Sequence, residues 1–233
     1  MDNYSYASMR YIRYERLLCG RPQDCKGRPI TSVVEDALRG GATFIQLRAK
    51  DTDAKDITSM ARDIAQVIEH NSKSDSVAFV IDDRVDVVWQ ARHKGIKVDG
   101  VHIGQTDLEP QEARALLGED AIVGLSAETE SLVKLINELP AGCIDYIGAG
   151  PLHVSTTKPE ASVGGNDGSG HTLDEAQINA ICDASDFPVV VGGGVRRRRY
   201  GDARAFEGSR LVRCVGNRRR KRSGRGDPQY GFA

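Results

Sequence analysis

Six short apolar runs alternate with longer stretches whose apolar residues recur at helical spacing, and this alternation restricts the fold more than any other feature of the chain. The runs are Thr43–Leu47, Ala78–Ile81, Gly100–Ile103, Ile122–Ser126, Asp145–Gly148 and Pro188–Val191. Each is continuously apolar rather than alternating, as in strands of a sheet covered on both faces. Between them, Ile57, Met60, Ala61, Ile64, Val67 and Ile68 mark a helix from Asp53 to His70. Further helices are expected over Val85–Lys94, from Pro110 to Gly118, around Leu132–Leu139 and over Leu173–Ala184. Ser32 to Glu35 has the form of a capping box, with Gly40 and Gly41 as the stop. Parallel strands need long crossovers, and helices supply them. The middle strands begin about 22 residues apart, a spacing that predicts an α/β fold of the (β/α)8 TIM-barrel type, with a doubly wound open sheet as the competing geometry.

The pattern has weak ends. Tyr14–Cys19 is a poor candidate for a first strand because its apolar run is short and contains Arg16. After Val195 the periodicity stops. Arg196–Arg199 and Arg218–Arg222 are basic runs, and only Leu211–Val215 reads as a strand. The last strand and helix of a barrel are therefore expected to be missing or degraded. Residues 1–195 are assigned to the barrel and 196–233 to a basic, disordered tail. That tail carries 13 Lys+Arg against 3 Asp+Glu, leaving 19 against 30 in the body. Its aromatics stand apart from the basic runs, so a solvated end is expected rather than a nucleic-acid arm. Five cysteines at irregular spacing suit neither a disulfide framework nor a zinc site, and a cytoplasmic location is expected. No apolar run is long enough to cross a membrane, and Met1–Tyr14 is not a signal peptide by composition.

Ligands of parallel α/β sheets bind at the carboxyl ends of the strands. There the sequence offers Gln46, Arg48 and Lys50 after one run, Asp82, Asp83 and Arg84 after the next, then His102 to Asp107, then Ser126. A fifth run leads through Gly148–Pro151 into Ser155, Thr156, Thr157 and Lys158, and the sixth ends in Gly192–Gly194. Asp83 and Asp107 could share one hard cation, since magnesium favours one or two carboxylates with phosphate oxygens and waters. Lys50, Lys158 and Arg48 bring positive charge, the hydroxyls add donors, and the glycines can bring backbone amides to a phosphate. The set reads as an anion site. His102 reads as a hydrogen-bonded core histidine and Arg84 with Asp86 as a local ion pair. The glycines from Gly164 to Gly170 read as a flexible loop, with a lid as the alternative.

The segments Gly40–Asp51, Ile81–Asp86, Asp99–Asp107, Asp145–Pro151, Ser155–Lys158 and Gly192–Val195, in that order, resemble thiamine-phosphate synthase. The resemblance implies a transferase that joins an aminopyrimidine diphosphate to a thiazole phosphate, releasing pyrophosphate. It implies Mg2+ on Asp83 and Asp107. Gln46, Arg48, Lys50, Asp82, Ser126 and Lys158 would serve the pyrimidine diphosphate, with Ser126 and Lys158 as the catalytic pair. Ser155, Thr156, Thr157, Gly193 and Gly194 would hold the thiazole phosphate. Its partners would be small molecules, not membranes or nucleic acid. The chain departs from the family in having Asp82 where Asn is usual and Ala49 where Glu is common, and its eighth-strand motif cannot be placed. The pattern-free tail is what a shifted reading frame would produce. Competing readings are a thiazole tautomerase or regulator built on the same barrel, and an inactive remnant whose basic tail binds nucleic acid.

Overall fold

Residues 16–151, 172–192 and, as backbone, 210–215 are described by a computed structural model. The six expected strands form within a residue or two of their expected bounds, and the weak candidate Tyr14–Cys19 yields a strand that begins at Leu17. They are β1 (Leu17–Gly20), β2 (Phe44–Leu47), β3 (Ala78–Asp82), β4 (Gly100–Ile103), β5 (Ile122–Ser126), β6 (Tyr146–Ala149) and β7 (Val189–Val191). Consecutive strands pair in parallel from β1 to β7. Helices fill the crossovers: α1 (Ile30–Arg39), α2 (Ala54–His70), α3 (Val85–His93), α4 (Pro110–Leu117), α5 (Glu130–Asn137) and α6 (Glu175–Ala184). The result is an α/β fold on a seven-stranded parallel sheet.

An eighth strand, β8 (Arg210–Val215), lies between β7 and β1 and closes the ring of strands. It runs antiparallel to both neighbours. The expectation of an all-parallel (β/α)8 ring is corrected on this point: seven strands are parallel and one is reversed. Arg210–Val215 also falls inside the segment assigned to a disordered tail. The rest of that segment lies outside the described residues, as does the glycine-rich stretch from Gly164 to Gly170.

Alternation along the strands sorts the apolar side chains into two layers. Leu17, Phe44, Val80, Ile122, Tyr146 and Val190 meet inside the ring. The residues between them, such as Ile45, Leu47, Phe79, Ile81, Val101, Val123 and Ile147, face the helices and pack with Ile57, Ile64, Val88 and Ile136. Each fully buried side chain of this size contributes about 1.5–3 kcal/mol. Tyr146 crosses the interior, with its ring edge-on to Phe44 at 5.5 Å and stacked on His102 at 5.3 Å. Two glycines make room for this row. A Cβ on Gly124 would sit 2.2 Å from Tyr146 Cζ, and one on Gly148 would sit 2.7 Å from His102 Cε1.

The amino ends of the strands are fastened by carboxylates. Asp99, just before β4, accepts from Phe79 N at 2.7 Å and from Lys97 Nζ at 2.5 Å. Asp145, just before β6, accepts from Val123 N at 2.7 Å and from Arg114 Nη2 at 2.8 Å. Both carboxylates satisfy a backbone donor of the preceding strand, and both are themselves balanced by a cation.

Helix starts differ from the expectation in one place. α1 begins at Ile30 with Pro29 at its N-cap and no side-chain cap, so Ser32 lies inside the helix and accepts instead from Arg28. A capping box does form at α6, where Asp174 accepts from Gln177 N and Gln177 returns its side-chain oxygen to Asp174 N.

Candidate active site

The inward parity that places Phe44, Val80 and Tyr146 in the apolar layer continues to the carboxyl ends of the strands. Two residues beyond Phe44 comes Gln46, two beyond Val80 comes Asp82, and His102 and Ser126 occupy the matching positions of β4 and β5. A polar layer therefore caps the apolar one. Gln46 Nε2 donates to Asp82 Oδ1 at 2.5 Å. Arg48 Nη1 lies 3.4 Å from Asp82 Oδ2 and 2.9 Å from Asp83 Oδ2. Gln46, Arg48 and Asp82 are all buried, Asp82 to 1% exposure.

Asp83 occupies the turn that ends β3. Its φ is 64°, in the left-handed region that aspartate tolerates better than most side chains. Arg84 N donates to Asp82 O at 2.7 Å across it, while Asp83 N donates to His102 O at 2.8 Å and so extends the β3–β4 pairing. This tight turn projects the Asp83 carboxyl back over the rim instead of outward with α3. Asp107 approaches from the loop after β4, where its Oδ2 accepts from Gly104 N at 2.7 Å. The Asp83 carboxyl is raised above the ordinary carboxylate range. Burial is the main cause; Arg48 opposes it, Asp107 adds to it by charge and by a direct hydrogen bond, and Lys50 opposes it more weakly. The rim thus gathers Asp82, Asp83 and Asp107 against Arg48 and the exposed Lys50.

Asp107 stands near enough to raise the Asp83 carboxyl by its charge, and a divalent cation between the two would relieve that repulsion. Among the described residues no cluster of three or more His, Cys, Asp and Glu could hold a metal. Asp83 and Asp107 are the residues that would hold a magnesium ion on this rim, whose shell phosphate oxygens and waters would complete.

Across the mouth, His102 joins two side chains. Its Nδ1 is 2.9 Å from Tyr146 Oη and its Nε2 is 2.9 Å from Ser126 Oγ. Gln105 Nε2 donates to Ser126 O at 2.5 Å. His102 is the buried core histidine expected, and it also connects the Tyr146 phenol in the barrel interior to the Ser126 hydroxyl. Sequence reasoning had no role for Tyr146 or Gln105. Parity along β6 would have turned Tyr146 inward, but nothing local marks Gln105. Arg84 and Asp86 form the expected local pair at 2.7 Å.

Of the predicted residues, Gln46, Arg48, Asp82, Asp83, Asp107 and Ser126 converge on one rim, with Lys50 beside them. Gly192 does not offer a free amide, because its N–H donates to Ala149 O at 2.9 Å. Ser155, Thr156, Thr157, Lys158, Gly193 and Gly194 lie outside the described residues.

The family described as thiamine monophosphate synthase matches residues 17–210. A thiamine-phosphate synthase from Corynebacterium jeikeium (strain K411) is 38% identical over 201 residues, covering 85% of this chain and 85% of its own. One from Corynebacterium efficiens is 36% identical over 166 residues, covering 71% of this chain and 70% of its own. In structure, a thiamine phosphate pyrophosphorylase from Pyrococcus furiosus superposes with a TM-score of 0.60 at 24% identity, covering 78% of this chain and 77% of its own, a likeness of fold. With a family match that spans most of the sequence and two relatives above 30% identity, the chain belongs to the thiamine monophosphate synthase family.

Proposed function

We propose that this protein condenses an aminopyrimidine diphosphate with a thiazole phosphate to form thiamine phosphate and pyrophosphate. The observation that carries the reading is the Asp83–Asp107 pair, set on the same rim as Gln46, Asp82 and Ser126 in a chain of this family. Asp83 and Asp107 would hold magnesium, which when bound supplies positive charge to the departing pyrophosphate. Lys50, with Lys158 from the segment outside the described residues, would add cationic donors to the diphosphate. Gln46 and Asp82 would hold the polar edge of the pyrimidine. Ser126 would place its hydroxyl against the same substrate, with its position set by His102. Ser155, Thr156, Thr157, Gly193 and Gly194 would hold the thiazole phosphate.

No protein nucleophile is needed. The carbon–oxygen bond to the diphosphate breaks, the electron-rich ring carries the positive charge that develops on its methylene, and the thiazole nitrogen forms the new carbon–nitrogen bond. The protein's contribution is alignment of two bound substrates and stabilisation of the leaving group. We further infer that the fold is a variant of the (β/α)8 barrel in which β8 replaces the last βα unit. Among the described residues, Cys25, Cys143 and Cys182 are free thiols, which suits a cytoplasmic enzyme. No helix among the described residues is long and apolar enough to cross a membrane.

The test is thiamine phosphate formation by the purified protein given both substrates and magnesium. Product that disappears with chelator and with Asp83→Ala supports the proposal. A folded protein that forms none overturns it.

A further inference from the structure

We propose that Gln105 is a positioning residue: its side chain latches the loop between β4 and α4 onto the carboxyl end of β5, and so holds the Asp107 carboxylate ready for a divalent cation. This rests on the reading of Asp83 and Asp107 as the residues that would hold magnesium, and it goes beyond that reading by naming what keeps one of them in place.

The two carboxylates are fastened differently. Asp83 belongs to a tight turn whose backbone still pairs with β4, through Asp83 N and His102 O at 2.8 Å. Asp107 lies in the loop that runs from Ile103, the last residue of β4, to Pro110, the first of α4. On one side of it Leu108 packs against the core. On the other, the carboxylate folds back on Gly104, whose N–H donates to Asp107 Oδ2 at 2.7 Å. A Cβ on Gly104 would stand 3.2 Å from that oxygen, so glycine suits the approach. The Gly104 contact shapes the loop from within, and Gln105 ties it to the neighbouring strand. Exposed on the rim, Gln105 donates through Nε2 to Ser126 O at 2.5 Å.

The direction of this amide follows from its partner. A backbone carbonyl only accepts, so Nε2 and not Oε1 faces it. The contact also has a place in the sheet. β4 and β5 pair in register up to Ile103 and Leu125. Ser126 is the next residue of β5, and β4 has by then passed into the loop. Gln105 continues with a side chain where backbone pairing stops. Ser126 is a firm point to hold: it pairs with Gly148 of β6, and its Oγ is 2.9 Å from His102 Nε2. The strand end is thus the anchor, and the loop is what it anchors.

An ion held by carboxylates from two separate loops must fix both, and ordering a free group costs affinity. A latch that holds Asp107 beforehand removes that cost. Immobilising one side chain corresponds to about three- to tenfold in a binding constant.

The experiment uses the full chain and Gln105→Met, which keeps the length of the side chain and removes the donor. Two quantities are read: the magnesium concentration that half-saturates thiamine phosphate formation, and hydrogen exchange of the Gly104 amide in the metal-free protein, followed by nitrogen-15 NMR. The magnesium requirement should rise about three- to tenfold while kcat at saturating magnesium stays within about twofold, and Gly104 exchange should quicken by at least about threefold. Asp145→Ala, destabilised at the opposite end of the barrel, is the comparison for a general loss of stability. A merely structural role for Gln105 would lower the melting temperature as Asp145→Ala does and leave both quantities at wild-type values.

A magnesium requirement that stays within about twofold of wild type in folded Gln105→Met overturns the inference, while product formation by the wild type upholds the functional reading. A raised requirement with unchanged Gly104 exchange also overturns it, since Gln105 would then act without holding the loop. A wild type that forms no thiamine phosphate overturns the functional reading, and Gly104 exchange then decides the latch by itself. If Gln105→Met does not fold, the NMR order of the Gln105 side-chain amide in the metal-free wild type decides. An amide as rigid as the backbone supports the latch, and one as mobile as a free surface glutamine overturns it.

Discussion

Gly124→Ala tests whether the barrel interior is packed as described. The added Cβ would lie 2.2 Å from Tyr146 Cζ, 2.4 Å from Cε1 and 2.5 Å from Oη. Carbon atoms in contact prefer about 3.5–4.0 Å, so the ring would have to retreat by over ~1 Å. It has no direction in which to go cheaply. Phe44 stands edge-on at 5.5 Å, His102 is stacked at 5.3 Å, and the phenol oxygen is 2.9 Å from His102 Nδ1. Tyr146 is 0% exposed. Overpacking a well-filled core costs about 1–3 kcal/mol, and a contact this short between a strand backbone and a trapped ring belongs at about 3 kcal/mol. For a chain of this size that lowers the melting temperature by roughly 6–12 °C. Chemical denaturation gives the free energy directly. The discriminating measurement is the double variant Gly124→Ala/Tyr146→Leu. Tyr146→Leu alone leaves a cavity and the double variant fills part of it, so the two losses should fall short of additivity by at least about 1.5 kcal/mol. Additive losses would refute the packing argument, because they would mean that position 124 and the ring do not touch.

Three further outcomes follow from the same geometry. Asp145→Ala leaves Val123 N and Arg114 without their shared acceptor and should cost about 2 kcal/mol in denaturant titration without changing substrate affinity. Tyr146→Phe keeps the ring and removes the hydrogen bond to His102; stability should fall by about 1 kcal/mol, and KM for the pyrimidine diphosphate should rise as Ser126 loses its anchored neighbour. The raised Asp83 carboxyl has a signed consequence for pH. Its folded value lies above its unfolded value, so the native state holds the extra proton, and the metal-free protein loses stability as pH rises from about 4 through the raised value. Magnesium should therefore raise the melting temperature more at pH 7.5 than at pH 5, and Asp83→Asn, whose side chain also tolerates the left-handed turn, should abolish that difference.

Strands β2 to β7 were legible because each is buried on both faces and apolar along most of its length, which no surface helix or loop imitates. The site residues were legible for a related reason: in a parallel sheet every carboxyl end arrives at the same rim, so Gln46, Asp82, Asp83, Asp107 and Ser126 could be brought together without knowing a single distance. What failed to show was whatever depends on the opposite side of the ring. The start of α1 was misplaced because Ser32 and Glu35 satisfy a capping pattern, whereas burial of Ile30 against Gly20 decides where the helix begins. The reversal of β8 was invisible because Leu211–Val215 is a short apolar run that reads the same in either direction. Tyr146, His102 and Ser126 are far apart in sequence, and only the register of β4, β5 and β6 brings them into one line.

That register links the core and the site more tightly than a division into scaffold and active residues would suggest. Along β2 to β5 the inward positions run from Phe44, Val80 and Ile122 to Gln46, Asp82, His102 and Ser126, while the outward positions carry Ile45, Leu47, Ile81, Val101, Ile103 and Leu125. A slip of one residue exchanges the two sets. It would bury Gln46, Asp82 and His102 against α2 and α3 and expose leucine and isoleucine on the rim. The polar layer that reads the substrate is thus also a strong constraint on strand register: the carboxylate of Asp82 has partners in the ring mouth, in Gln46 and Arg48, and would have none among the apolar side chains that face the helices. Replacing that layer with apolar residues of similar size would remove the chemistry and, with it, part of what tells each strand which face is inward. Such a variant should keep its helices and lose sharp unfolding, and a highly cooperative melt from it would refute this account.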